Sequence, residues 1–226
     1  MRTAALLSIL LAAPAAPALA SPTVVELYQS QGCSSCPPAI ANINTLVNDP
    51  QLLVLDFAVT YWDRLGWKDT FARPEYTQRQ WDYAHGLKHN NVYTPQVVVA
   101  GRSDLVGTDP RELRHAVEAA IPATGAPSVS LQGDKVSIGE AALSGAEADV
   151  WLVRYDPRTQ NVAIGAGENG GITLAHRNIV RQITKLGSWK GKMETFQITP
   201  ASDGNWRNAV LVQQPSGGAI LAAAKS

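Results

Sequence analysis

A two-part α/β fold is predicted for this chain. Residues 21–122 would form a domain of alternating strands and helices, and residues 128–226 a smaller, mainly antiparallel β-sandwich domain. Three observations predict it. Apolar runs of strand length alternate with stretches of helical period as far as Ala120. Residues 123–127 (Ala-Thr-Gly-Ala-Pro) have linker composition. Beyond them the apolar runs become short and are separated by turn residues.

Val24-Val25-Glu26-Leu27-Tyr28 is β-branched and aromatic, a strand by composition. Gly32-Cys33-Ser34-Ser35-Cys36-Pro37-Pro38 follows, and Ile40, Ile43, Leu46 and Val47 then fall at helical spacing. Prolines suit the first turn of that helix, where their missing N–H groups would lack partners anyway. Asn48-Asp49-Pro50 stops it. Leu52 to Val59 is apolar apart from Asp56, as expected of a central strand covered on both faces. An aromatic segment, Tyr61 to Phe71, has no clear period, and Pro74 to Leu87 looks helical. Gln96 to Ala100 and Asp104 to Val106 form a hairpin around Gly101-Arg102-Ser103. Asp109-Pro110-Arg111-Glu112 supplies a capping acid, a first-turn proline and a Glu three residues on, opening a helix with Leu113, Val117 and Ala120. Strand, helix, strand, helix, strand, strand, helix is the layout of a thioredoxin core, here with an aromatic and helical insertion.

The C-terminal segments are Val129–Leu131, Lys135–Ile138, Asp149–Tyr155, Asn161–Ala166, Gln197-Ile198 and Ala209–Gln213. Gln132-Gly133-Asp134, Asp156-Pro157 and Asp203-Gly204 are turn signals between them, the texture of a sandwich. Ile172 to Leu186 fits a helix by period and a long strand by β-branched content; strand is the preferred reading.

The 19 Lys and Arg cancel the 19 Asp and Glu, which removes the electrostatic case for a nucleic-acid or anionic-membrane surface. Hydrophobic residues are 45% of the chain, enough for a packed core and against disorder. Residues 1–20 read as a signal peptide. Arg2 gives a positive start, Ala4 to Ala13 an apolar stretch, and Ala18-Leu19-Ala20 a small-x-small cleavage site; a retained anchor is the alternative. Cleavage after Ala20 would place the protein in the periplasm or outside the cell. The apolar stretch is too short to span a bilayer as a helix, and no later segment is long enough, so no stable membrane insertion is expected.

Cys33 and Cys36 are the only cysteines. A ring so small contributes little loop-closure stabilisation, so the pair reads as chemistry. Thiol–disulfide exchange needs an accessible thiolate and a second thiol to resolve the mixed disulfide. At a strand–helix junction Cys33 would gain from the helix N-terminus and attack first, with Cys36, one turn in, as the resolving thiol. Zinc normally takes four ligands, and there is no second cysteine pair. His85 and His89 lie one helical turn apart, as a metal face or a solvated helix surface. Neither a metal nor another cofactor is expected.

Thr94-Pro95 precedes a strand. In a thioredoxin-like fold that proline would be cis and would edge a substrate site; otherwise it is a trans proline starting a strand. Glu26 either takes the Cys36 proton from a buried position or emerges at a sheet edge. Trp62, Trp67 and Phe71 are core or a lid, and Asp63, Lys68 and Asp69 among them could line the site beside Cys33.

Glu26 through Pro38, Tyr61-Trp62-Asp63 with Gly66-Trp67-Lys68-Asp69, Tyr93-Thr94-Pro95-Gln96, and the later Gly167-Glu168-Asn169 and His176-Arg177-Asn178-Ile179-Val180 together resemble the exported thioredoxin-like family filed as domain of unknown function 1223. The resemblance covers most of residues 21–226 and implies a thioredoxin-like fold in an exported bacterial protein, with no settled activity. Two departures stand out. Ala58 and Thr60 occupy positions where that family commonly shows His and Asp. Glu26 is seven residues before Cys33, where ordinary thioredoxins carry a buried acid six before the first cysteine.

The leading expectation is therefore a periplasmic thiol–disulfide oxidoreductase. Cys33, Cys36 and Glu26 would be catalytic, Thr94, Pro95, Trp62 and Asp63 would bind substrate, and the partner would be a protein or small-molecule thiol or disulfide. The alternative is an exported binding module with a static disulfide; metal delivery ranks third.

Overall fold

The computed structural model describes residues 21–120 and 125–226. The expected signal peptide, 1–20, and part of the expected linker lie outside them.

The N-terminal half forms the predicted elements in the predicted order: β1 (Thr23–Gln29), α1 (Cys36–Asn44), β2 (Leu52–Ala58), α2 (Pro74–Gly86), β3 (Gln96–Val99), β4 (Ser103–Leu105) and α3 (Pro110–Ala119). A single 3-10 turn, Asp63–Leu65, interrupts the aromatic segment. Pro37 and Pro38 occupy the first turn of α1, and the Asp109 side chain accepts from the Arg111 and Glu112 N–H groups to cap α3.

The C-terminal half contains β5 (Val129–Gln132), β6 (Lys135–Ile138), β7 (Ala148–Asp156), β8 (Gln160–Ala163), β9 (Thr173–His176), β10 (Ile179–Trp189), β11 (Glu194–Gln197), β12 (Arg207–Gln213) and β13 (Ile220–Lys225). The ambiguous 172–186 stretch is strand, broken between β9 and β10 at Asn178, whose φ of 52° lies in the left-handed region that Asn tolerates. Strand β13 was not expected; its run of alanines carries little β-propensity, and pairing with β12 makes it a strand.

The separate sandwich does not form. Eight strands make one mixed sheet in the order β13-β12-β7-β10-β2-β1-β3-β4, so four C-terminal strands extend the sheet begun by the N-terminal half. The join is the parallel β10–β2 edge, where Ile179 pairs with Asp56, Asp56 N–H donates to Asn178 O at 3.1 Å and Asn178 Nδ2 donates to Val54 O at 2.9 Å. Short strands with alternating burial predict a sandwich equally well whether the second sheet is new or is borrowed. Here β5, β6 and β11 form a three-stranded sheet whose Val136 and Ile138 pack on Val150, Leu152, Val210 and Val212 of the large one.

Side-chain alternation divides the large sheet into two faces. On one, Val24, Tyr28, Leu53, Leu55 and Phe57 pack with Tyr76 and Tyr83 of α2 and continue to Val153 and Leu211. On the other, Val25, Leu27 and Val54 pack with Cys33, Cys36, Ala39, Ile40 and Ile43 at and in α1, Leu113 of α3 and Leu174 of β9.

Candidate functional site

Cys33 and Cys36 are joined by a disulfide at the β1–α1 junction, Cys36 being the first residue of the helix. The approach to the helix is a tight turn: Cys33 N–H donates to Ser30 O and Cys36 N–H to Cys33 O, each at 3.1 Å. Ser34 and Ser35 between them are exposed.

An accessible Cys33 was expected, but both cysteines are 0% exposed. Two segments far apart in sequence contribute to the burial. From the aromatic segment, Trp62 and Trp67 pack against the cluster that contains the disulfide. From the loop between β8 and β9, Asn169 Nδ2 donates to Cys33 O at 2.8 Å and to Gln31 O at 2.9 Å. Its neighbour Glu168 accepts from Ser34 Oγ at 2.6 Å and from Ser34 N–H at 3.2 Å. Those hydrogen bonds hold the Glu168 carboxyl below the ordinary glutamate range. Glu168 and Asn169 belong to a motif quoted for the family resemblance, but nothing in the sequence assigned them a role at the cysteine pair.

Thr94 Oγ1 lies 3.4 Å from Cys33 Sγ and accepts from Trp62 Nε1 at 2.7 Å, so two expected substrate-binding residues do meet at the disulfide. The Thr94–Pro95 peptide is cis, and Pro95 is buried. Asp63 is less direct. Its Oδ1 accepts from Asp69 N–H at 3.0 Å, and Asp69 in turn accepts from Gln31 N–H at 2.7 Å and Phe71 N–H at 2.8 Å. Trp67 Nε1 donates to Gln31 Oε1 at 2.9 Å. The aromatic segment is thus tied to the residues just before Cys33, and Lys68 is exposed. Burial raises the Asp69 carboxyl above its ordinary range, against the two backbone donors that favour its anion.

Glu26 is buried, as one reading required, but not behind Cys36. It shares a strand parity with Val24 and Tyr28 and so faces α2. There Arg79 Nε donates to its Oε1 at 2.8 Å, and Tyr83 Oη donates to its Oε2. Burial pushes the Tyr83 hydroxyl well above its ordinary range, which keeps it a donor. The residue six before Cys33, Leu27, is the one that faces the disulfide side. One position of register moved this acid to the opposite face.

The disulfide face has its own buried acid. Asp56 of β2 is paired in register with Leu27, and its Oδ2 lies 2.9 Å from His176 Nδ1, both side chains being 0% exposed. Among the described residues, Asp56 Oδ1, His176 Nε2 and both amide atoms of Gln29 have no partner. The available signal was the lone charge in the Leu52–Val59 run. His89 is engaged elsewhere, its Nε2 lying 2.9 Å from Asp104 Oδ1, and His85 is exposed. Among the described residues no group of three or more His, Cys, Asp or Glu side chains is placed to hold a metal ion, and no helix is long and apolar enough to cross a membrane. A cavity of about 900 Å3 lined by Arg102, Ala116, Leu143 and Leu221 shares no lining residue with the disulfide site.

No curated protein matches the sequence. Among solved structures the chain is similar to a crystal structure of a protein from Agrobacterium tumefaciens, with 32% identity, a TM-score of 0.72 and coverage of 91% of this chain and 94% of that one. It is also similar in fold to HBP35 of Porphyromonas gingivalis, at 13% identity and a TM-score of 0.61, covering 92% of this chain and 75% of the other. A family model described as "Protein of unknown function (DUF1223)" matches residues 24–213, and the chain belongs to that family.

Proposed function

We propose that this protein is a thioredoxin-like thiol–disulfide oxidoreductase, exported to an oxidising compartment after cleavage near Ala20, that exchanges electrons with a protein or small-molecule thiol partner through Cys33. The observation that carries this reading is a disulfide at the start of α1 with Thr94 Oγ1 3.4 Å from Cys33 Sγ, beside Pro95. A helix N-terminus favours an anion at such a sulfur, and Cys36, inside the first turn, is placed to resolve a mixed disulfide. Access to Cys33 then requires the 165–171 loop or the Trp62–Trp67 segment to move aside.

The second reading is a binding module with a static disulfide, favoured by the complete burial of both cysteines. Equilibration of the pair against glutathione separates the two. A potential of about −120 to −270 mV supports exchange, and one below about −300 mV supports a structural bridge. Under the first reading Cys36→Ser, expressed in its own compartment, accumulates covalent complexes that collapse on reduction, and Cys33→Ser accumulates none. A reduced Cys36→Ser protein that reacts with alkylating reagents but captures no partner would rule exchange out.

A further inference from the structure

We infer that Asp56, held by His176, accepts the Cys36 proton when that thiol resolves a mixed disulfide; the inference rests on the oxidoreductase reading. A thiol attacks only as its thiolate, and one buried among apolar side chains resists ionisation, so a buried resolving thiol needs a base on its own side of the sheet.

Strand alternation supplies one. Val54 of β2 and Leu174 of β9 pack in the same apolar cluster as Cys33 and Cys36. Asp56 and His176 each follow by two residues on the same strand, and so lie on that face. The cross-strand partner of Asp56 is Leu27, itself a member of the cluster. His176 Nδ1 lies 2.9 Å from Asp56 Oδ2 and holds the carboxyl group in place, while among the described residues the buried Oδ1 has no partner. A buried acceptor atom left open is costly in a core that serves only to pack. The groups facing the pair are few. Phe71 and His176 meet edge-on at 5.7 Å between ring centroids, Arg181 lies 5.0 Å from the centre of the Phe71 ring, and Asp69 interacts electrostatically with both members of the pair.

In the step, a partner sulfur is bonded to Cys33. The Cys36 thiol passes its proton to Asp56 Oδ1, and the resulting thiolate attacks Cys33 Sγ. The Cys33–Cys36 bond forms and the bond from Cys33 to the partner breaks. The partner sulfur departs with the bonding pair and takes up the proton that Asp56 held. The cysteine pair is oxidised by two electrons and the partner disulfide is reduced.

Reaction of the fully reduced protein with the aromatic disulfide dithiobis(nitrobenzoate) reads the two steps separately. The first coloured thiolate reports attack by Cys33, and the second reports ring closure by Cys36. Asp56→Asn is expected to slow the second phase about ten- to a hundredfold at neutral pH and to change its pH profile, with the first phase within about twofold of the wild type. His176→Gln, which keeps the carboxylate but frees it, should slow the second phase less; it carries the test if Asp56→Asn does not fold. A second phase unchanged in rate and pH profile, or two phases slowed equally, overturns the assignment while leaving the oxidoreductase reading intact. A wild-type protein that shows no second phase overturns that reading, and this inference with it.

Discussion

The two faces of the central sheet treat buried polar groups differently. On the α2 face, Glu26 is enclosed by Arg79 and Tyr83, and Arg79 also donates to Tyr83 Oη at 3.1 Å and lies 5.1–5.9 Å over the rings of Phe57, Tyr83 and Trp151. Among the described residues the neighbouring Tyr28 Oη is buried without a partner. On the disulfide face, four buried atoms of Gln29, Asp56 and His176 lack partners among the described residues. A buried ion pair is retained when its hydrogen bonds are nearly complete. If the proposed exchange takes place, open polar atoms on the face that carries the disulfide are explained as sites where a proton or hydrogen bond arrives during work. Under the proposed function, the contrast assigns stability to one face and chemistry to the other.

The sharpest way to break that division is to remove one partner of the α2-face pair. Glu26→Gln or Arg79→Met should cost about 3–5 kcal/mol of unfolding free energy in denaturant titration, because each leaves a buried polar group or charge uncompensated. A Glu26→Leu/Arg79→Met double variant should recover much of the loss. Neither change should shift the equilibrium of the cysteine pair with glutathione, since the network lies on the opposite face. A shift of that equilibrium comparable to the one caused by changes at Thr94 would end the separation of roles.

The next largest effect belongs to the loop that covers the disulfide. Asn169→Ala removes the donor to two backbone carbonyls, those of Gln31 and Cys33. The expected cost is about 1–3 kcal/mol, and reduction of the disulfide by a water-soluble phosphine should become severalfold faster as the loop loosens. Unchanged reduction kinetics would mean that the loop does not control access.

Much of this architecture was legible in the sequence, and the reasons for the gaps are physical. Elements set by local signals appeared where expected: α1 behind its prolines, α3 behind Asp109, β2 as an apolar run. What local signals cannot carry is pairing between distant strands. Nothing near Ile179 announces that β10 will lie beside Asp56 and turn two expected domains into one sheet. The same limit hid half of the site. Cys33, Cys36, Thr94 and Trp62 were readable, but Glu168 and Asn169 arrive from more than 130 residues away. Glu26 shows a finer limit: its burial followed from its strand, yet a single residue of parity decided which side it served.

Thr94 tests the disulfide face with a smaller change. Thr94→Val keeps the shape but removes the hydroxyl that accepts from Trp62 Nε1 and lies 3.4 Å from Cys33 Sγ. About 0.5–1.5 kcal/mol of stability should be lost. The glutathione equilibrium should move toward the disulfide, because a donor to the Cys33 sulfur stabilises its reduced, anionic form more than the neutral disulfide. Movement in the other direction would show that this hydroxyl serves Trp62 alone.

The smallest effect is electrostatic and has a definite sign. Glu168 places a carboxylate on Ser34, the residue after Cys33, where a reduced Cys33 thiolate would meet a like charge. Glu168→Gln keeps the hydrogen-bonding shape and removes the charge, so alkylation of reduced Cys33 near neutral pH should be about two- to fivefold faster than in the wild type, and less so at high salt. Hydrogen bonds from Ser34 hold the Glu168 carboxyl below its ordinary range. The contact is therefore complete above the ordinary glutamate pKa and is lost as pH falls through the lower folded value. The wild-type and variant rates should stay apart through the mildly acidic range and converge only below it. Convergence already at the ordinary glutamate pKa would show that Ser34 does not hold the carboxylate in the reduced protein. A variant slower than the wild type would reverse the inferred role, making Glu168 a group that positions Cys33 through Ser34 and not one that restrains its ionisation.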